Sequence, residues 1–103
     1  MSYLSLALHY PRPEHQDELL AAMQRLNDAL QDAPGLLHIG AWRDESGARI
    51  VAISIWESET DFQGAAGRIA SVVANVPFGE WEERPRELIR ATDIALPKSH
   101  NPQ

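Results

Sequence analysis

Few residues in this chain could do chemistry, and their types narrow the options quickly. The sequence holds four histidines, His9, His15, His38 and His100, with three tryptophans and two tyrosines. It holds no cysteine, which excludes a thiol nucleophile, a thiolate metal site and a disulfide. The histidines lack the i, i+4 pairing of a helical metal site, so no metal is expected. No glycine-rich phosphate loop and no serine nucleophile elbow is present. What remains is acid–base work by an imidazole in an apolar pocket. Histidine is the side chain best suited to act as a neutral base near pH 7. Tryptophan and tyrosine supply flat walls with polar tips.

Side-chain alternation says which of these residues could meet. From Tyr3 to Tyr10, Leu4, Leu6 and Leu8 fall on one face and Tyr3, Ser5, Ala7 and His9 on the other. If the leucine face meets the helices, Tyr3, Ser5 and His9 line a cavity between helices or between subunits. His38 and Trp42 of a second strand, and Ser54 and Trp56 of a third, could join them. His38 is the candidate base and the other six are candidate lining. Each also has an ordinary role. His38 could be an interface histidine, Trp56 a wedge at the start of a helix, and Trp42 the rim of a subunit contact. Arg43 and Arg90 could orient an acidic group on a ligand or pair with surface acids. His15 and His100 read as solvated. A one-residue slip in strand register would invert these assignments.

The elements that must position these residues follow from periodicity. Pro11 and Pro13 end the first strand. Glu14 to Ala33 is a helix, with Leu19, Met23, Leu26 and Leu30 on one stripe and Ala33-Pro34-Gly35 as its stop. Leu36–Arg43 and Ala48–Trp56 are strands joined at Asp44-Glu45-Ser46-Gly47. Leu36, His38, Gly40 and Trp42 share one face by alternation, and Leu37, Ile39 and Ala41 the other. A second helix follows, with Phe62, Ala66, Ile69 and Val73 on its stripe. Its cap is either Thr60 with Gln63 or Ser58 with Asp61. Asn75 to Gly79 breaks that helix, Glu80 to Arg86 is a charged connector, and Glu87 to Leu96 is a fourth strand. The order strand, helix, strand, strand, helix, strand is the α+β, ferredoxin-like βαββαβ arrangement, a four-stranded antiparallel sheet with two helices on one face. Both strand faces are apolar, so the face without helices must also be covered.

Length and charge bound the rest. The 103 residues suit one domain, residues 1–96, with 97–103 as a flexible tail. Nine Lys+Arg against fifteen Asp+Glu give a formal charge of −6. That balance opposes nucleic acid and anionic membrane as partners. The first fifteen residues do not read as a secretory signal, so a cytoplasmic protein is expected.

Several stretches carry a resemblance. A first strand running into Pro-Arg-Pro-Glu-His, a helix ending Ala-Pro-Gly-Leu, a hairpin ending Ile-Ser-Ile-Trp-Glu-Ser and a helix opening Glu-Thr-Asp-Phe resemble the antibiotic biosynthesis monooxygenase group of the dimeric α/β-barrel superfamily. The likeness spans residues 3 to 96. It implies a homodimer whose two sheets face each other. It also implies a monooxygenase that needs no cofactor and acts on a small quinol- or polyketide-like aromatic. A non-catalytic small-molecule binder on the same scaffold is the alternative. Relatives that degrade haem use an Asn on the first strand, a Trp early in the second helix and a His at its end. Here the first strand has no Asn, Gln63-Gly64-Ala65 follow Phe62, and no His lies between His38 and His100. Haem binding is therefore the least expected reading.

Overall fold

The computed structural model describes residues 1–96. Strand β1 is Tyr3–His9 and leads through a single 3₁₀ turn, Pro13–His15, into helix α1, Gln16–Leu30. Strands β2, Leu36–Arg43, and β3, Ile50–Trp56, form a hairpin. Helix α2 is Glu59–Val73, a short helix α3 is Phe78–Trp81, and strand β4 is Glu87–Thr92. The sheet is antiparallel with order β2-β3-β1-β4. The fold is the α+β, ferredoxin-like one.

Local chemistry explains the element ends. The Leu19–Leu30 stripe buries both of its terminal leucines. Helix α1 stops at Leu30 rather than Ala33, because the Ala33 N–H turns back to the Leu30 carbonyl at 3.0 Å. Gly35 then takes a φ of 80°, and a Cβ there would lie 2.3 Å from the Asp61 side chain, so only glycine fits. Of the two caps the sequence offers, Ser58 is the one used. Its Oγ accepts the Asp61 N–H at 3.1 Å and donates to Asp61 Oδ2 at 2.9 Å. In the β2–β3 turn, hydrogen bonds from Ser46 and Arg49 hold the Asp44 carboxyl at about 2, well below its ordinary value.

Three expectations need correction. Helix α3 occupies part of the stretch read as a breaker and connector. Strand β4 ends at Thr92, not Leu96, because Thr92 pairs with Tyr3 at the start of β1. One further bond, Asp93 N–H to the Ser2 carbonyl, uses up the neighbour. The third correction concerns the faces of the sheet. Both helices lie over the face bearing Tyr3 and Trp56, which join Leu30, Ala33 and Ala65 in the core. The Leu4/Leu6/Leu8 face, paired with Ile55, Ile53 and Val51, carries no helix. Under the helices the small Ser5, Ala7, Ala52 and Ser54 lie between the larger Tyr3 and Trp56 at one end and His9 and Ile50 at the other, and the leucines are on the open face. The proposed flexible tail, 97–103, lies outside the described residues. Among the described residues, no helix is long and apolar enough to cross a membrane.

Candidate functional site

The central strands present small side chains to the helices. Ser5 pairs with Ser54 and Ala7 with Ala52, while Ala41 of β2 lies on the other side of Ala52. A helix packed on a sheet normally fills that layer with branched residues. Here the floor falls short of the roof, and a cavity of about 450 Å³ opens between them, within the range of small-molecule sites. Leu19, Met23 and Leu26 of α1 and Phe62, Ile69 and Val73 of α2 form the roof. One end is closed by a compact aromatic group: Tyr3 and Phe62 ring centroids lie 5.3 Å apart, and Trp56 meets Phe62 edge-on at 5.8 Å. Trp56 is fully buried, with Nε1 donating to Ser54 Oγ at 2.9 Å.

The other end carries the titratable chemistry. His9 is 6% exposed and lines the cavity, with its ring stacked against Phe78 at 5.9 Å. Glu82, 3% exposed, accepts from His9 Nδ1 at 2.9 Å through Oε2 and from the Tyr10 N–H at 2.8 Å through Oε1. Backbone contacts bring it there. Arg12 N–H donates to the Trp81 carbonyl and Glu83 N–H to the Tyr10 carbonyl, so the chain after α3 is laced to the end of β1. A carboxylate can only accept, so the pair fixes the proton on Nδ1. Nε2 is the ring nitrogen outside that pair.

The seven candidate residues therefore separate into three groups. Ser5, His9 and Ser54 line the cavity. Tyr3 and Trp56 stand on the same face but form its closed end within the core. His38 and Trp42 stand on the opposite face of the sheet. A bulge causes the difference: Leu36 pairs with Trp56, yet His38 pairs with Ile55, so one extra residue enters β2 between them. Alternation counted from Leu36 is inverted beyond that point. His38 packs against Trp42 at 5.6 Å, and Trp42 is 49% exposed. The expected base is not on the cavity.

Glu82, Phe78 and Arg86 were missed as site residues. All lie in the stretch read as a breaker and charged connector. Glu82 stands in the acidic run Glu80-Trp81-Glu82-Glu83, where nothing in the composition separates the buried carboxylate from its solvated neighbours.

The model of the family "antibiotic biosynthesis monooxygenase" matches residues 2–68. The chain belongs to the antibiotic biosynthesis monooxygenase family. Solved structures agree on the fold. Rv0793 from Mycobacterium tuberculosis superposes with a TM-score of 0.81 at 16% identity, covering 95% of this chain and 100% of that one. A conserved protein from Methanosarcina mazei Go1 gives 0.78 at 12% identity, covering 88% and 91%. A structure named antibiotic biosynthesis monooxygenase gives 0.74 at 14% identity, covering 90% and 99%. No curated protein matches. At these identities the structural likeness fixes the architecture of this family member, and its chemistry must be argued from its own cavity.

Proposed function

We propose that this member of the family is a cofactor-independent monooxygenase acting on a small aromatic ligand in the cavity under α1 and α2. The observation that carries the reading is the His9–Glu82 pair at the end of an apolar chamber. There Nε2 can take the proton of a phenol or an enolisable aromatic ketone, while Glu82 holds the imidazole in the required tautomer. Removing that proton makes the ring an electron donor to O₂. Attack on O₂ at the activated carbon gives a hydroperoxide. Its collapse with loss of water converts a ring CH₂ into C=O, so one oxygen atom enters the product and the other leaves as water. The imidazolium first protonates the peroxide anion to give that hydroperoxide, and the neutral imidazole then takes the second ring proton and passes it to the departing hydroxide. An apolar roof suits the step, because a dry site strengthens the developing electrostatic contacts.

The test is oxygen uptake by purified protein with a panel of anthrones and hydroquinones. Turnover above the uncatalysed rate, with ketone and water as products, is expected. No uptake with any of the panel would remove the reading.

The functional unit we propose is a homodimer. Leu4, Leu6 and Leu8, Val51, Ile53 and Ile55, and Ile89 form an aliphatic surface with no helix over it. An apolar patch of that extent marks an interaction face, and a twofold copy of the same sheet is complementary to it in chemistry. Sedimentation at micromolar concentration should give twice the chain mass, and a Leu6→Lys/Ile53→Lys variant should sediment as a monomer. A monomeric wild-type chain would contradict the assembly.

A further inference from the structure

The two arginines on the cavity wall are opposite in sign to the net charge of the chain, and the one acid at the site, Glu82, is taken up by His9 and the Tyr10 N–H. The protein carries a formal charge of −6. Yet the ionisable residues lining the cavity are His9, Arg86 and Arg90, with no aspartate or glutamate among them. Elsewhere Arg49 meets Asp44 at 2.6 Å, Arg68 meets Asp32 at 2.7 Å and Arg84 lies 3.8 Å from Glu87, while Arg12 donates to the Glu80 backbone carbonyl. Among the described residues, neither Arg86 nor Arg90 meets a carboxylate. Both are instead laid on aromatic faces. The Arg90 guanidinium carbon sits 4.7 Å over Phe62, and that of Arg86 sits 4.0 Å over Phe78.

Arg90 is further aimed. Its Nε donates to Ser5 Oγ at 2.8 Å, which ties the guanidinium to the cavity floor. A guanidinium has five N–H donors, so the bond to Ser5 leaves the four on the two terminal nitrogens. Those four form the fork that matches a carboxylate with two parallel bonds. Ser5 and Phe62 are themselves cavity residues, so the fork is held at the edge of the space an aromatic ligand would fill. Arg86 extends the same positive edge toward His9, four residues back along the inward face of the β4 segment.

We infer that the cavity is built for an acidic ligand, an aromatic ring system bearing a carboxylate, with Arg90 as the anion-binding residue and Arg86 as a second cation beside it. The inference rests on the reading of the cavity as an aromatic site and adds the group that selects among aromatics. Arg90 holds the anion at one side, which leaves the ring between floor and roof and its reacting edge toward His9.

The experiment compares 1-hydroxy-2-naphthoate with its carboxamide, a pair alike in shape and different in charge. Binding to the full chain is followed by titration calorimetry. The acid should bind about tenfold tighter or more, the advantage of a charge-assisted bond over a neutral one. Arg90→Gln should remove most of that preference by weakening the acid alone, with the affinity for the amide and the circular dichroism spectrum of the fold unchanged. Arg90→Lys should keep part of it, since the charge remains and the fork is lost. Equal affinities for acid and amide would overturn the anion site while the aromatic pocket stands. So would a preference that survives in Arg86→Gln/Arg90→Gln. Failure of both compounds to bind would overturn the pocket and the anion site together.

Discussion

His9→Gln should lower the rate of oxygen uptake by about a hundredfold to ten-thousandfold, the usual contribution of a positioned general base. Glutamine is the informative replacement. Its amide can still donate to Glu82, so the buried carboxylate keeps its partner and the end of β1 keeps its lacing to the chain after α3. What disappears is the basic ring nitrogen. A companion change, Glu82→Gln, leaves the imidazole in place and reverses its polarity. The new amide can donate to Nδ1, which drives the ring proton to Nε2 and removes the lone pair there. Both variants should therefore lose turnover, though only one has lost the histidine. Affinity for a non-reacting ligand should change little, because neither variant alters the roof or the floor. A His9→Gln enzyme with more than half the wild-type rate would remove His9 as the base.

The second large effect concerns stability. Trp56→Ala should cost about 3–5 kcal/mol, the range for deleting a buried aromatic. Domains of this kind have roughly 5–15 kcal/mol in all, so the variant should be marginal at room temperature. Trp56 is 0% exposed. Its loss would empty the corner between Tyr3, Leu30, Ala33 and Phe62, and would free the Ser54 hydroxyl that its Nε1 now meets. Urea denaturation followed by circular dichroism measures the change. A cost below about 1 kcal/mol would mean that the corner closes over the gap, contrary to the close packing of protein interiors.

These two residues also show what could be read from the chain and what could not. The order of the four strands and the two long helices was legible because periodicity, prolines and caps agree there, whereas the short α3 lies where Pro77 and Gly79 read as a break. The apolar character of both faces of the β2–β3 hairpin was legible too, and with it the need to cover two sides of one sheet. Which face the helices take was not. Leu4, Leu6 and Leu8 look like core by size, but the helices cover Ser5 and Ala7, and the leucines look out. Size alternation cannot tell a helix from a second sheet as the cover. His38 and Trp42 were misplaced for a different reason. One bulge residue near Leu37 shifts the count, and nothing local in Gly-Leu-Leu-His announces it. Glu82 could not be found because its burial depends on bonds from its carboxylate to His9 and the Tyr10 N–H, 73 and 72 positions away, and on the backbone lacing beside them.

The small floor of the cavity has a consequence for how this protein could change. Ser5, Ala7, Ala41, Ala52 and Ser54 already carry nearly the least bulk a side chain can have. Apart from glycine, and alanine at the two serines, substitution there can only raise the floor. A methyl or two added at Ala52 would fit the chamber to a smaller guest and would fill empty volume as it did so. Adaptation toward smaller ligands is therefore open by single steps that leave the helices where they are. Adaptation toward larger ligands is closed from below and would have to come from the roof, where Met23, Leu26 and Ile69 still have bulk to lose. The two directions of specificity change are encoded in different layers of the fold.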